Sequence, residues 1–162
     1  MYRLPEIDCK GHSDEPQRCE LGGNHRIDGR WRLARIIVAD DDDDVRRSLS
    51  RLLRALGHDV LEAENGRGVV EAVRSGTVDL VITDINMPGM DGLEVVEAVR
   101  AVGSEVPVIA VSGGPFAKQV LLPHAGALGA FATLKKPFDI AELGRIVERA
   151  LMGAGSRSGS GA

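Results

Sequence analysis

The sequence predicts an α/β fold in which a parallel sheet is covered by helices on both faces. Between residues 33 and 152, short β-branched apolar runs alternate five times with stretches of helical periodicity. That alternation is typical of parallel strands joined by crossover helices. The first, third and fourth runs are almost continuously apolar, as expected for strands buried on both faces. A length of 162 residues allows one such domain.

The first strand is predicted at residues 36–39, and a helix with one buried face follows it. The apolar positions of that helix have helical spacing and are Val45, Leu49, Leu52, Leu53 and Leu56. Gly57 supplies a stop signal. The second strand, near residues 60–63, alternates apolar and acidic residues. We therefore expect it at the edge of the sheet.

The second helix is expected to begin after Asn65-Gly66, and the third strand occupies residues 78–83. Asp91 precedes Glu94 by three residues, a spacing that predicts a capping box at the start of the third helix. The fourth strand is predicted at residues 106–111.

The fourth helix is the least regular element, because Pro123 interrupts the segment between residues 117 and 128. A proline inside a helix costs about 3 kcal/mol, so we expect a kink or a late start. The fifth strand is predicted at residues 131–135, and Asp139 is expected to open the last helix.

The two ends of the chain carry no such periodicity. Residues 1–32 are rich in charge and are predicted to be a disordered or loosely attached extension. Cys9, His12, Cys19 and His25 match no common zinc-finger spacing, so a metal site there is not favoured. Residues 153–162 resemble a flexible Gly/Ser tail.

Composition bounds the partners and the compartment. A net charge of -4 and an aromatic content of 3% disfavour nucleic-acid binding. No apolar run is long enough to span a bilayer, so membrane insertion is not expected. Two cysteines do not make a disulfide framework, and we expect a cytoplasmic protein, either monomeric or weakly dimeric.

Four polar residues, Asp40, Asp84, Ser112 and Lys136, each follow a predicted strand. Because the carboxyl ends of parallel strands meet at one edge of a sheet, these side chains are expected to lie together. Each alone has an ordinary interpretation, such as a turn serine or a surface lysine. Four at strand ends, in this order along the chain, indicate a site for phosphate and metal.

An acidic run, residues 40–44, occupies the predicted turn between the first strand and the first helix. We expect Asp40 and Asp41 to face the sheet edge and converge with Asp84, and Asp43 to cap the helix. Grouped carboxylates raise one another's pKa unless a cation compensates, and hard oxygen ligands favour Mg2+ over zinc. The run therefore predicts a magnesium site.

Asp84 stands alone before a rigid turn, residues 87–92, and is the candidate nucleophile. Lys136 supplies a point charge for phosphoryl oxygens. Ser112 offers a hydroxyl beside Gly113-Gly114, where missing side chains leave room for a substrate.

The motifs together resemble the receiver domain of two-component response regulators. The segments that carry the resemblance are Asp40-Asp41, Thr83-Asp84-Ile85-Asn86-Met87-Pro88-Gly89-Met90-Asp91-Gly92, Ser112-Gly113 and Lys136-Pro137-Phe138. The resemblance covers about 120 residues and implies a doubly wound, flavodoxin-like sheet of order 2-1-3-4-5.

The resemblance also implies roles. Asp84 would accept a phosphoryl group from a histidine kinase or a histidine phosphotransfer protein. Mg2+ would bind Asp40, Asp41, Asp84 and the backbone carbonyl of Asn86. Ser112 and Lys136 would each contact a phosphoryl oxygen, and the Lys136-Pro137 peptide bond would be cis.

One position departs from the family pattern, since Thr133 stands where the fifth strand usually carries an aromatic residue. Signalling would then need another route. There are two hypotheses for that route. The signal passes through Phe131, or it passes through ordering of the loop at Gly113-Gly114 together with the broken fourth helix.

Output is the open question, because no recognisable effector segment follows residue 152. We expect a single-domain regulator that binds a partner or relays the phosphoryl group, with a receiver detached from a larger regulator as an alternative. A metal-dependent aspartyl phosphatase is disfavoured, because Asn86 stands where such enzymes carry an acid/base aspartate. A nucleotide binder ranks last, because no Gly-rich loop follows the first strand.

Overall fold

A computed structural model describes residues 25–27, 30–32 and 34–155. The strands are β1 (His25–Ile27), β2 (Arg30–Arg32), β3 (Arg35–Ala39), β4 (Asp59–Ala63), β5 (Leu80–Asp84), β6 (Val108–Ser112) and β7 (Ala132–Lys135). The helices are α1 (Asp43–Ala55), α2 (Gly66–Arg74), α3 (Gly92–Ala101), α4 (Leu122–Ala127) and α5 (Ile140–Gly155).

Strands β3 to β7 form one parallel sheet in the order β4-β3-β5-β6-β7. Counted within this sheet alone, the order is 2-1-3-4-5, so the predicted doubly wound α/β fold is confirmed. β4 lies at an edge, as its alternating pattern predicted. β5 and β6 are buried along their whole length, which matches their continuous apolar sequence.

The sheet has an apolar core on each face because alternate strand residues point to opposite sides. Ile36 and Val38 of β3 pack with residues of α1 and α5, including Leu53 and Leu143. Ile37, the residue between them, packs on the other face with residues of α2 and α3. A smaller cluster around Ala110 and Ala125 seats α4 on that second face.

The helix starts confirm two sequence predictions and correct a third. Asp91 and Glu94 form the expected capping box at α3, and Asp139 accepts a hydrogen bond from the backbone N–H of Ala141 at the start of α5. Asp43, however, does not cap α1. Asp42 does so, accepting from the N–H groups of Asp44 and Val45. The helix begins one residue earlier than that prediction required, which leaves Asp43 free to pair with arginines of α1.

The fourth helix starts late, as Pro123 predicted. Residues Ala117–Leu121 form one π-helical turn without a side-chain cap, and α4 begins only at Leu122. Pro123 then lies in the first turn of α4, where its missing N–H costs no helical hydrogen bond.

The two ends of the chain are described only in part. Within the extension predicted as disordered or loosely attached, β1 and β2 pair as a short antiparallel hairpin, so this part has regular structure. Backbone pairing in a hairpin does not require the apolar periodicity on which the prediction relied. Helix α5 continues to Gly155, into the segment predicted as a flexible tail. The predictions for residues 1–24 and 156–162 lie outside the described residues.

None of the helices in the described ranges is long and apolar enough to cross a membrane.

Candidate functional site

Four predicted residues meet at the carboxyl edge of the sheet. Asp40 directly follows β3, Asp84 and Ser112 are the last residues of β5 and β6, and Lys136 directly follows β7. Asp40, Asp84 and Ser112 are buried. The parallel register delivers them to one edge, because β5 pairs with β3 on one side and with β6 on the other.

The Lys136 ammonium lies between two carboxylates. Its Nζ is 2.6 Å from Oδ2 of Asp40 and 2.8 Å from Oδ1 of Asp84. The Lys136-Pro137 peptide bond is cis, as the family resemblance implied. Lys136 and Asp40 are 96 residues apart in the sequence, so the ion pair joins two distant segments of the chain.

The remaining oxygens of the two carboxylates accept backbone hydrogen bonds. Oδ1 of Asp40 accepts from the N–H of Asp42 at 3.0 Å. Oδ2 of Asp84 accepts from the N–H of Asn86 at 2.7 Å. Both side chains are therefore held in one orientation by the turns that follow their strands.

Burial and ion pairing shift the pKa values of Asp84 and Lys136. Loss of hydration raises the pKa of the Asp84 carboxyl above its ordinary value, and this outweighs the opposing effect of Lys136. Burial alone would lower the pKa of Lys136, but its bonds to Asp40 and Asp84 outweigh burial and raise it. One ammonium serves two carboxylates, so the cation is fully compensated while the carboxylates are not.

Ser112 hydrogen-bonds to the side chain of Asn86. Asn86 Nδ2 donates to Ser112 Oγ at 3.2 Å, and this contact ties the turn after β5 to the end of β6. In the sequence analysis only the backbone carbonyl of Asn86 was expected to take part in the site. Beyond Ser112, Gly114 has a φ of 87°, a left-handed conformation that favours glycine, and a Cβ placed on it would meet nothing within 4 Å. A Cβ on Gly113 would instead lie 3.5 Å from Cβ of Lys136. Room for a substrate beside Ser112 stays a prediction.

Asp41 differs from the other two carboxylates in its exposure. Its side chain is exposed, and no group of three or more His, Cys, Asp or Glu side chains within the described ranges is arranged to hold a metal ion. Lys136 already supplies a positive charge between Asp40 and Asp84. The convergence of Asp40, Asp41 and Asp84 on a metal ion stays a prediction. By donor chemistry, these carboxylates still suit Mg2+, which prefers oxygen ligands.

Arg46 is a site neighbour that sequence analysis missed. It is buried on α1, and its Nη1 donates to the backbone carbonyl of Asp40 at 2.7 Å. It also pairs with Asp43 and approaches Glu62 and Glu64. A signal was present in the sequence: a cation in the first turn of a helix opposes the helix dipole and needs another reason to be there.

Gly92 is the second residue whose role was missed. A Cβ on Gly92 would overlap the carbonyl oxygen of Asp84 and would lie 2.7 Å from Cα of Ile85. The first turn of α3 therefore packs directly on the backbone of Asp84. Only glycine allows that approach.

A groove of about 400 Å³ lies beside the site, between α1 and the start of α5. Its lining is mostly apolar and comprises Asp44, Val45, Ser48, Leu49, Leu52, Phe138 and Ile140. Asp44 is the last residue of the acidic run and lies in the first turn of α1, and Phe138 lies two residues after Lys136, so the groove borders the same sheet edge.

The chain belongs to the response regulator receiver domain family, whose model matches residues 36–148. Members of this family are signalling domains of two-component systems that are phosphorylated on an aspartate.

Relatives and solved structures agree with this assignment. The response regulator receiver protein CpdR of Brucella abortus is 32% identical over 75% of this chain and 100% of its own length. The DNA-binding transcriptional regulator NtrC of Azospirillum brasilense is 38% identical over 73% of this chain but 24% of its own. The chain thus spans about a quarter of the length of that regulator. The Vibrio cholerae chemotaxis protein CheY4 is 30% identical, with a TM-score of 0.64 over 74% of this chain and 100% of its own.

Gly92→Ala should destabilise the fold and displace Asp84. The new methyl group meets backbone atoms rather than a flexible side chain, so the free energy of unfolding should fall by about 1–3 kcal/mol, the usual cost of overpacking. Urea denaturation measures this. Gly144→Ala is the matched control, since Gly144 is helical and a Cβ placed on it would meet nothing within 4 Å. That change should be neutral or stabilising, and equal losses in both variants would contradict the steric argument.

Asp84→Asn should stabilise the fold near neutral pH. Because the pKa of Asp84 is higher in the folded chain than the ordinary 3.8, the folded state binds the proton more tightly. Stability of the unsubstituted chain relative to the variant therefore falls as pH rises from 3.8 through the folded-state pKa, and the difference is constant above it. Thermal unfolding midpoints from acid to neutral pH test this. A gain for the variant that is as large at acid pH as at neutral pH would contradict it.

Proposed function

We propose that this chain is a phosphoryl acceptor in which Asp84 receives the phosphoryl group. The observation that carries the proposal is the placement of Asp84: its carboxylate is 6% exposed at the carboxyl edge of the sheet and lies 2.8 Å from the Lys136 ammonium. Membership of the receiver family supports it.

The chemistry proposed is in-line displacement at phosphorus. One oxygen of Asp84 forms the new P–O bond while the P–N bond of a donor phosphohistidine breaks, and the departing imidazole nitrogen takes up a proton. Positioning and charge neutralisation supply most of the catalysis in such reactions. Lys136 and the Ser112 hydroxyl can each offer a donor to a phosphoryl oxygen, since both lie at strand ends on the same sheet edge as this acceptor.

Divalent metal is part of the proposal. Asp40, Asp41, Asp84 and the backbone carbonyl of Asn86 are the groups proposed to hold Mg2+. When bound, it would neutralise charge on the phosphoryl oxygens.

The proposed donor is a histidine kinase or a histidine phosphotransfer protein, because the family interacts with such proteins. The proposed output is binding of a downstream protein or onward relay of the phosphoryl group by a single-domain regulator in the cytoplasm. A receiver that works as part of a larger regulator is the second candidate, favoured by the short share of NtrC that this chain matches.

Incubation with acetyl phosphate and Mg2+ should add the mass of one phosphoryl group to the intact protein. Asp84→Asn should abolish the addition, while Asp79→Asn should not, because Asp79 bonds the N–H of Arg35 at the opposite end of the strands. Mg2+ alone should raise the thermal midpoint by mass action. Unchanged labelling of Asp84→Asn would refute the assignment of the acceptor.

The groove beside the site is proposed to receive the donor protein. It borders the acidic turn and the Lys136 turn, so a helix seated there would bring its phosphohistidine toward Asp84. Ile140 lines the groove and is 60% exposed, so a docked partner would remove its apolar surface from water.

Ile140→Asp should therefore slow transfer from a protein donor but not from acetyl phosphate. We expect a loss of roughly tenfold with a phosphorylated histidine phosphotransfer protein, equivalent to about 1.4 kcal/mol. Val102→Asp is the control, being an exposed apolar residue at the end of α3. Equal slowing with both kinds of donor would show that Ile140 acts on the site itself and not on docking.

A further inference from the structure

Arg46 is a buried cation that the proposed phosphoryl chemistry does not use directly. Its side chain is 7% exposed, although it belongs to the first turns of α1, next to a run of aspartates. Burial of a guanidinium is costly unless its donors are satisfied. The donors of Arg46 are satisfied by Asp40 and Asp43.

The guanidinium bonds the backbone of Asp40 and the side chain of Asp43. Nη1 donates to the Asp40 carbonyl at 2.7 Å, and Nη2 donates to an oxygen of Asp43. Glu62 and Glu64, from β4 and the turn after it, lie 3.7 and 3.9 Å away. The charge of Arg46 is therefore balanced by carboxylates outside the site, and the Asp40 carboxylate is left for other partners.

Asp40 is consequently held by two cations from different directions. Lys136 holds its carboxylate, and Arg46 holds its backbone carbonyl. The two contacts are expected to respond differently to phosphorylation of Asp84. The inference below therefore rests on the proposed function. A lysine that binds a phosphoryl oxygen must weaken its bonds to carboxylates, whereas the Arg46 contact involves neither the metal nor the phosphoryl group.

We infer that Arg46 is a positioning residue that keeps Asp40 oriented for divalent-cation binding, through a backbone contact that does not depend on Lys136. The planar guanidinium can bond the carbonyl and Asp43 at once through two nitrogens, whereas a lysine ammonium is a single point charge. Groups that orient metal-binding carboxylates are worth about 10- to 100-fold in metal affinity in other proteins.

The test is calorimetric titration of unphosphorylated protein with Mg2+, using Arg46→Met and the matched control Arg47→Met. Arg47 is the next residue of α1, is 59% exposed and pairs with the same Asp43, but has no bond to Asp40. Arg46→Met should weaken Mg2+ binding by about tenfold. Arg47→Met removes the same charge and should leave binding close to that of the unsubstituted chain.

Phosphorylation kinetics separate positioning from a merely structural role. In Arg46→Met, the Mg2+ concentration for half-maximal labelling by acetyl phosphate should rise in the same proportion, while the rate at saturating Mg2+ should return close to normal. Lower thermal stability with an unchanged Mg2+ requirement would overturn the inference. If Arg46→Met does not fold, Arg46→Lys decides, since it keeps the charge but should still weaken Mg2+ binding.

Failure of the proposed function can be distinguished from failure of the inference about Arg46. Absence of labelling on Asp84 in the unsubstituted chain would refute that function, whereas normal labelling with equal Mg2+ affinity in the Arg46 and Arg47 variants would refute only the role of Arg46.

Discussion

The ion pair that Lys136 makes with Asp40 and Asp84 is the interaction on which the site depends. One ammonium bridges carboxylates from two neighbouring strands, at 2.6 and 2.8 Å. Without it, two buried negative charges would face each other at the sheet edge, an arrangement that raises carboxyl pKa values and favours protonation. Even with Lys136 present, loss of hydration on burial keeps the pKa of Asp84 above its ordinary value.

The fold supplies the precision that this ion pair needs. Parallel pairing brings the ends of β3, β5 and β6 to one edge, and the turns that follow them hold the carboxylates through the N–H groups of Asp42 and Asn86. The start of α3 presses on the Asp84 backbone through Gly92. Interiors packed this closely transmit small displacements, so changes remote from the carboxylate can still move it.

Local patterns predicted most of the fold and most of the site. The apolar runs predicted the strands, and their ends predicted that Asp40, Asp84, Ser112 and Lys136 would meet. Two kinds of feature could not be predicted. Some depend on contacts between segments distant in the sequence, and others depend on which of several adjacent identical residues takes a role. In a run of five aspartates any of several could cap α1, and Asp42 does. The contact of Arg46 with the Asp40 carbonyl depends on the geometry of the turn between β3 and α1. The spacing of apolar residues in the sequence gives no information about that geometry.

Phosphoryl transfer to Asp84 would change the balance of charge around Lys136. A phosphoryl group carries about -1.5 to -2 charges near neutral pH when attached to a hydroxyl side chain, and on a carboxylate it similarly adds charged acceptor oxygens. The ammonium would then be drawn from the carboxylates toward those oxygens, and Ser112 would have a better acceptor than it finds now. Ser112 is at present bonded to Asn86. The backbone after it runs through Gly113 and Gly114 toward an uncapped π-helical turn, and a Cβ placed on Gly114 would meet nothing within 4 Å. With Thr133 in place of an aromatic ring, our hypothesis is that this segment passes the change in charge to the protein surface.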